Sequence, residues 1–394
     1  MKTLYHFLWK CFLIIPIILV GAYFSSCQPD YKKAPPSSSS SSSSSITGVG
    51  ELSVEFASGF SFSYENTLSW LSLYSSQGDT TVYLLHPRDQ KPPQVDPSIT
   101  TIAVPVENIM LTSTAHIAMI DFLGAVDKIK GVANADFVQN EKVINSLENG
   151  SILNIGRDLD LNTELVLSGS PELITTVGAV DLPQSGMGIL AETGVHILPI
   201  LEWQETSLLA RAEWVKVFAA LLGEEEIANQ KFGLLSSRYE ELARLTDSLS
   251  NQPNVLYGTP YKGVWYVPGA KSFVAHMLED AGATYAWSTD SSAITLPLAL
   301  EAVYGEALKA DFWLVSGAEL NLKDLLNIDE RFMDFRPAKL KTVYANNLQM
   351  KEGGGNNIYE KGIMEPEVIL ADLIKLLHPG NLPEHSFQYY RKLE

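Results

Sequence analysis

The chain has 394 residues, enough for two compact domains or one large two-lobed body. Hydrophobic residues make up 46% and charged residues 19%, which supports a sizeable core and excludes a wholly disordered protein. With 28 Lys+Arg against 46 Asp+Glu the formal charge is -18, which argues against a nucleic-acid partner, and the two cysteines, Cys11 and Cys27, exclude a disulfide framework.

The first segment reads as an address. Lys2 and Lys10 form a positive start, and Cys11 to Phe24 (CFLIIPIILVGAYF) is an apolar run, short for a membrane span and interrupted by Pro16. It ends in Phe24-Ser25-Ser26-Cys27. Small residues directly before a cysteine resemble the lipobox of bacterial lipoproteins, where the signal is cut before the cysteine and the thiol is lipidated. Phe24 departs from the usual leucine. An ordinary cleaved signal peptide or an uncleaved anchor is the alternative. The expectation is a signal peptide over 1–26, with Cys27 lipidated. Pro35-Pro36 and the serines Ser37 to Ser45 cannot bury anything, so 27–47 reads as a tether. Some twenty residues of such coil reach on the order of 25 Å.

From 48 to 100 the pattern is β-like. Gly59 to Tyr64 alternates and Thr80 to Leu85 is β-rich, before Pro87, Pro92, Pro93 and Pro97 break it. A small antiparallel extension is expected. Helices and strands then alternate. Strands are read at Asn108–Leu111, Ile129–Val132, Leu173–Val177 and Val195–Ile200, and helices at His116–Leu123, Glu141–Leu147 and around Ser185–Thr193. Such alternation implies a parallel sheet. Leu208 to Leu222 reads as a helix closed by Gly223. Glu224 to Leu249 follows as a long helix, about 39 Å at 1.5 Å per residue, long enough to span two lobes. The alternation restarts with strand Asn254–Tyr257, helix Ser272–Ala281, helix Pro297–Leu308, strand Phe312–Val315 and a terminal helix Pro366–Leu377. The fold class is α/β: two Rossmann-like lobes, over 101–223 and 251–394, joined by one spine helix over 224–250, with the β extension in front.

Several stretches, in this order, resemble the substrate-binding proteins of ABC importers for iron-siderophores, haem and cobalamin. They are Val104-Pro105-Val106 to His116, Leu123-Gly124-Ala125 to Val132, Ile155-Gly156-Arg157 to Leu167 and Pro171-Glu172-Leu173-Ile174. In the second half they are Gly263 to Gly269, Leu300-Glu301-Ala302-Val303, Tyr359-Glu360-Lys361-Gly362 and Asp372 to Pro379. The resemblance covers roughly Thr101 to Pro379. It implies a ligand held between the lobes and an ABC permease as partner. It also implies a monomer anchored by its lipid on the periplasmic side of the envelope or at the cell surface. Each lobe of that family presents one exposed Glu to permease arginines, and Glu164 and Glu301 match those places. Asn162 suits a helix cap before Glu164 and Pro297 a first helical turn before Glu301.

The expected ligand contacts are Thr112, Ser113, Thr114 and His116 after the first strand, Phe137 after the second, and Arg157 and Asp158 before the docking Glu. Trp203, Trp265, Tyr266 and Trp287 complete the set, because aromatic rings grip planar chelates. Trp265, between Gly263 and Pro268-Gly269, is the preferred aromatic anchor. No cofactor is expected. The ligand itself is expected to be a ferric siderophore or a corrinoid: Arg157 stands where haem binders of the family often carry Tyr, and it suits an anionic or polar arm. Haem or a divalent metal is the alternative within the fold, but His196 and His276 read as strand and helix positions rather than metal ligands, and no metal site is expected. The chain has no HExxH, CxxC, P-loop or GxSxG, so an enzyme is not expected. A surface enzyme or interaction module on the same lobes is the competing class.

Overall fold

The computed structural model describes residues 50–75, 78–157, 160–178, 186–291 and 294–394. The signal segment, Cys27 and the serine tether lie outside the described residues, as does Asp158. Among the described residues no helix is long and apolar enough to cross a membrane.

The chain enters through a four-stranded sheet, β1 (Phe60–Glu65), β2 (Leu68–Tyr74), β3 (Thr80–Pro87) and β4 (Thr100–Val104). The first three strands are antiparallel, but β4 runs parallel to β3. The proline-rich stretch between them forms the crossover, so the extension is mixed rather than purely antiparallel.

The first lobe is built on β5 (Ile109–Leu111), α1 (Thr114–Leu123), β6 (Ile129–Val132), α2 (Glu141–Glu148) and β7 (Leu153–Asn154). A hairpin of β8 (Gly156–Arg157) and β9 (Asp160–Leu161) leads to α3 (Thr163–Ser168), β10 (Leu173–Thr176), α4 (Gly186–Glu192) and β11 (His196–Pro199). Its sheet has the order β11-β10-β5-β6-β7, all parallel. The order reverses between β5 and β10, the place where open α/β sheets receive ligands. Both faces of this sheet are buried, which is why its strands read as short apolar runs.

Next come α5 (Leu208–Glu213) and α6 (Val215–Leu222), which break at Trp214 and so divide the single helix read from the sequence. Gly223, with φ of 74°, closes α6 in the left-handed conformation. The spine is α7 (Glu225–Thr246), 22 residues and about 33 Å. It buries Ala228, Phe232, Leu235 and Tyr239, one stripe at helical spacing, and leaves its other faces to solvent.

The second lobe contains β12 (Asn254–Tyr257), β13 (Pro260–Tyr261), β14 (Val264–Pro268), α8 (Phe273–Asp280), β15 (Thr284–Tyr285), β16 (Thr295–Ala299) and α9 (Leu300–Ala307). It continues through β17 (Phe312–Val315), α10 (Leu322–Ile328), α11 (Arg336–Leu340), β18 (Val343–Ala345), α12 (Pro366–Leu377) and β19 (Arg391–Lys392). Its main sheet is β15-β12-β17-β18-β19, parallel except for β19. β13, β14 and β16 form a separate antiparallel ribbon. Pro297 therefore sits in a strand opposite Tyr266 and does not open a helix; α9 starts at Leu300.

Two buried carboxylates clip the N-terminal strap to the lobes. Glu213 accepts hydrogen bonds from the backbone N–H of Glu55 (2.9 Å), Phe56 (2.7 Å) and Ala57 (2.7 Å), and from Lys216 Nζ at 2.7 Å. Glu205 accepts from the N–H groups of Ser58 and Gly59 and from the indole of Trp214. A Cβ on Gly59 would come within 2.7 Å of that indole, so only glycine lets the strap lie this close.

Candidate functional site

The carboxyl ends of both parallel sheets converge on the cleft between the lobes. From the first lobe, the segment after β11 brings Glu202 and Trp203, and α5 brings Arg211. From the second, β12 ends at Tyr257, β18 ends before Asn346, and the later loop brings Tyr359. Arg211, Tyr257, Asn346 and Tyr359 line one cavity of about 50 Å³, walled by Leu208, Phe273, Met277, Ile358 and Tyr390 among others. It lies at the reversal of strand order in the second sheet, where β12 meets β17.

The electrostatics of this cavity are unusual. Arg211 stacks over Phe273, 4.6 Å from the ring centroid, and its nearest carboxylate oxygen is Glu202 Oε1 at 4.0 Å. Burial pushes the Glu202 carboxyl up, partly offset by Arg211, and burial pushes the Arg211 guanidinium down, opposed by Glu202. Arg211 Nε, Glu202 Oε2 and Asn346 Oδ1 are all buried without a hydrogen-bond partner. Asn346 Nδ2 donates to the Tyr359 hydroxyl at 3.3 Å, and Tyr359 is 54% exposed at the mouth. Buried polar atoms left open cost stability, and in a cleft they mark places a ligand completes.

A second, roomier depression of about 540 Å³ lies between α1, the start of α2 and residues 357–365. Most of its charged groups, Glu141 apart, are already engaged. Lys142 pairs with Asp121 at 2.7 Å and Lys361 with Glu365 at 2.7 Å. The fully buried Glu360 accepts hydrogen bonds from the N–H of Gln139 (2.8 Å) and Asn140 (2.6 Å), at the start of α2 in the opposite lobe. Burial pushes this carboxyl up to about 7 against those two bonds. Gln139 Nε2 donates to Gly355 O at 2.6 Å and Lys351 Nζ to Val138 O at 2.6 Å. A Cβ on Gly355 would meet Phe137 O at 2.5 Å. This side of the cleft is a latch between the lobes, and the Arg211 cavity, with its open polar atoms, is the better candidate for ligand.

The residues expected from sequence divide sharply. Trp203 is 52% exposed at the cleft end of β11, and its indole donates to Val177 O at 2.7 Å. Phe137 is partly exposed and lies against Gly354 and Gly355, in the latch. Thr114 begins α1, and Ser113 caps it by accepting from Ala115 N. Thr112 is buried, its hydroxyl donating to Thr175 O at 3.1 Å.

Others need correction. Trp265 is 0% exposed: its ring packs against Trp313, Phe332 and Phe335, and its indole donates to Tyr257 O at 2.9 Å. It is the centre of the second lobe's own core, because strand alternation in β14 turns it inward and turns Tyr266 out to solvent. His116 is also fully buried, with Nδ1 2.8 Å from the Thr175 hydroxyl, and burial pushes its imidazole down to about 3, so it stays neutral in the core. Arg157 is exposed in the β8–β9 hairpin and paired with Asp136; the arginine in the cavity is Arg211. Trp287 is half-buried, edge-on to Tyr285.

Glu164 lies exposed in the first turn of α3, capped by Asn162, whose side chain accepts from Leu165 N. Glu301 lies exposed in the first turn of α9, with Arg331 Nη1 at 3.3 Å. Sequence reading passed over Arg211, Glu202, Tyr257 and Asn346. The available signal was a single arginine inside the apolar run Leu208-Leu209-Ala210-Arg211-Ala212. Tyr359 and Glu360 stood in a resembling stretch without being given a role.

Two lobes of parallel sheet on one spine helix, with a cavity near strand ends lined by residues carrying open polar atoms, are the architecture of two-lobed binding proteins. The profile described as periplasmic binding protein matches residues 109–334, and the chain belongs to that family. It is a solute-binding component of ABC transporters and not an enzyme. An uncharacterized lipoprotein of Methanocaldococcus jannaschii is 23% identical over 303 residues, 74% of this chain and 70% of the relative. Among solved structures, a periplasmic heme binding protein from Pseudomonas aeruginosa superposes with a TM-score of 0.57 at 16% identity, covering 73% of this chain and 98% of the other. Helicobacter pylori Ceue with Ni(II) bound superposes with a TM-score of 0.56 at 17% identity, covering 73% and 88%. At these identities the two structures speak for the fold.

Proposed function

We propose that the protein captures a bulky metal chelate, an iron-siderophore or a corrinoid, between its lobes and delivers it to an ABC permease. It does so as a monomer anchored by a lipid on Cys27 at the periplasmic side of the envelope. The observation that carries this reading is the Arg211 cavity, lined by a partly buried guanidinium with open Nε, by Asn346 with its open Oδ1 and by the exposed Tyr359. Such groups orient a polar arm of a large ligand, while Trp203 at the rim offers a ring to its body. A bare divalent metal has less support, since among the described residues no three His, Cys, Asp or Glu side chains come together. Haem stands as a second reading on one feature, the accessible Tyr359 phenol, which can ligate ferric iron.

Glu164 and Glu301 are assigned to permease docking. The visible spectrum of protein purified from its native host tests the ligand, because corrinoids, haem and ferric chelates absorb differently; a colourless protein that binds none of them on titration removes this reading. Glu164→Lys combined with Glu301→Lys tests delivery. Ligand affinity should be unchanged and uptake lost, and full uptake, or lost binding, overturns the docking assignment.

A further inference from the structure

One short stretch of chain lines both of the spaces described above. Ile358, Tyr359 and Ile363 face the Arg211 cavity, while Asn357, Glu360 and Lys361 face the depression beside α1. The change of side follows the winding of the chain, which closes in a 3₁₀ turn over Lys361–Met364. This stretch is therefore the wall between the two. The cavity has residues with open polar atoms but only about 50 Å³, too little for a chelate body. The depression has about 540 Å³, but most of its charged groups already have partners. Polar anchors and volume come together only when the wall stands aside.

The wall is fastened to the first lobe by a few directed contacts. Glu360 places one carboxylate oxygen on the N–H of Gln139 and the other on that of Asn140, so it caps the start of α2 from the opposite lobe. Lys351 Nζ donates to Val138 O, and Gln139 Nε2 to Gly355 O, both at 2.6 Å. Ile358, Ile363 and Met364 are buried beside these contacts, so the closed wall is the favoured arrangement and its release is a discrete step.

We propose that residues 351–360 are the gate of the cleft: release of Glu360 from Gln139 and Asn140 joins the Arg211 cavity to the neighbouring depression and admits a bulky solute. The inference rests on the reading of the cleft as a chelate site, and adds how that site is reached.

The test uses the full chain with Cys11→Ser and Cys27→Ser, which removes both cysteines, and with one thiol placed in the cavity wall by Met277→Cys. N-ethylmaleimide labels that thiol only when the cavity opens. A control chain carries Ala310→Cys instead, in the second lobe's separate core. Glu360→Ala leaves two amides without their acceptor, and should speed labelling at position 277 at least tenfold. Lys351→Met should speed it at least threefold. Labelling at position 310 should keep its rate in both. An unchanged rate at 277, or equal acceleration at 277 and 310, overturns the gate, since the second outcome is general loosening. If Glu360→Ala does not fold, Lys351→Met decides; if Met277→Cys does not, Leu208→Cys reports the same cavity. Ferric enterobactin and cyanocobalamin serve as chelate probes, and a bound chelate should protect the thiol. Gated labelling that neither chelate slows keeps the gate and removes the chelate reading. Protection by a chelate in a chain whose labelling ignores Glu360 and Lys351 keeps the chelate reading and removes the gate.

Discussion

Two ion pairs that share α5 are satisfied to opposite degrees, one wholly buried and one with a partly buried arginine. Lys216 and Glu213 meet at 2.7 Å; the lysine also reaches Ser53 O, and the carboxylate receives three backbone N–H groups from the strap. Arg211 and Glu202 stand 4.0 Å apart, with an atom of each left open. The first pair leaves no buried atom without a partner and so holds the N-terminal strap in place. The second stops short of closure at the strand ends of a cleft. Burial by itself does not separate a structural charge from a functional one; the completeness of its hydrogen bonding does.

The largest expected effect comes from breaking the complete pair. Glu213→Ala leaves Lys216 buried without a carboxylate and three backbone N–H groups open, which should cost about 3–5 kcal/mol in urea unfolding. A cost below about 1 kcal/mol would place the two pairs in the same class and remove the contrast.

A second perturbation contrasts packed with exposed indoles. Trp265→Ala should cost about 3–5 kcal/mol through the cavity left among Trp313, Phe332 and Phe335, while chelate affinity stays as it was. A marginal stability loss with weakened binding would return Trp265 to the cleft.

Glu360 supplies a third kind of buried charge, one bonded to N–H groups of the other lobe with no cation in hydrogen-bonding contact. Its folded-state value of about 7 lies above the ordinary 4.5, so the folded protein binds more protons between those values. Its contribution is therefore fully present below about pH 4.5 and is lost as the pH rises towards 7, on the order of 3 kcal/mol. Unfolding measured across this range should show Glu360→Gln gaining stability relative to the unaltered protein as the pH rises. A difference that stays flat, or grows in acid, contradicts the assignment.

The smallest stability effect should come from erasing the incomplete pair. Arg211→Met with Glu202→Gln removes both charges together and should change stability by less than about 1 kcal/mol, since buried pairs without full hydrogen bonding contribute little net. Affinity for the native chelate should fall at least tenfold. Retained affinity in a stable double variant would move the ligand elsewhere in the cleft.

Much of the backbone was legible because its signals are local. The cap at Asn162, the stop at Gly223 and the strand Asn254–Tyr257 each follow from a few neighbouring residues. The long α7 follows from one apolar stripe. Pro297 misled because proline suits both a first helical turn and the outward position of a ribbon strand, and only pairing with Tyr266 separates the two. Trp265 misled because flanking glycine and proline mark a ribbon's turns as readily as a binding loop, and the sequence does not show which way the strand faces.

The sequence by itself determined the α/β alternation, the two halves and the spine between them, because period and punctuation are properties of neighbouring residues. Only the tertiary structure decided which polar groups meet in the cleft. Glu202, Arg211, Tyr257, Asn346 and Tyr359 are spread over both lobes, and apart from the lone arginine in the apolar run 208–212 nothing in their local context distinguishes them from surface or core residues of the same types. Arg211, Tyr257, Asn346 and Tyr359 share one cavity, and the open valences of Arg211, Glu202 and Asn346 exist because tertiary packing excludes water from these atoms before the chain supplies every partner.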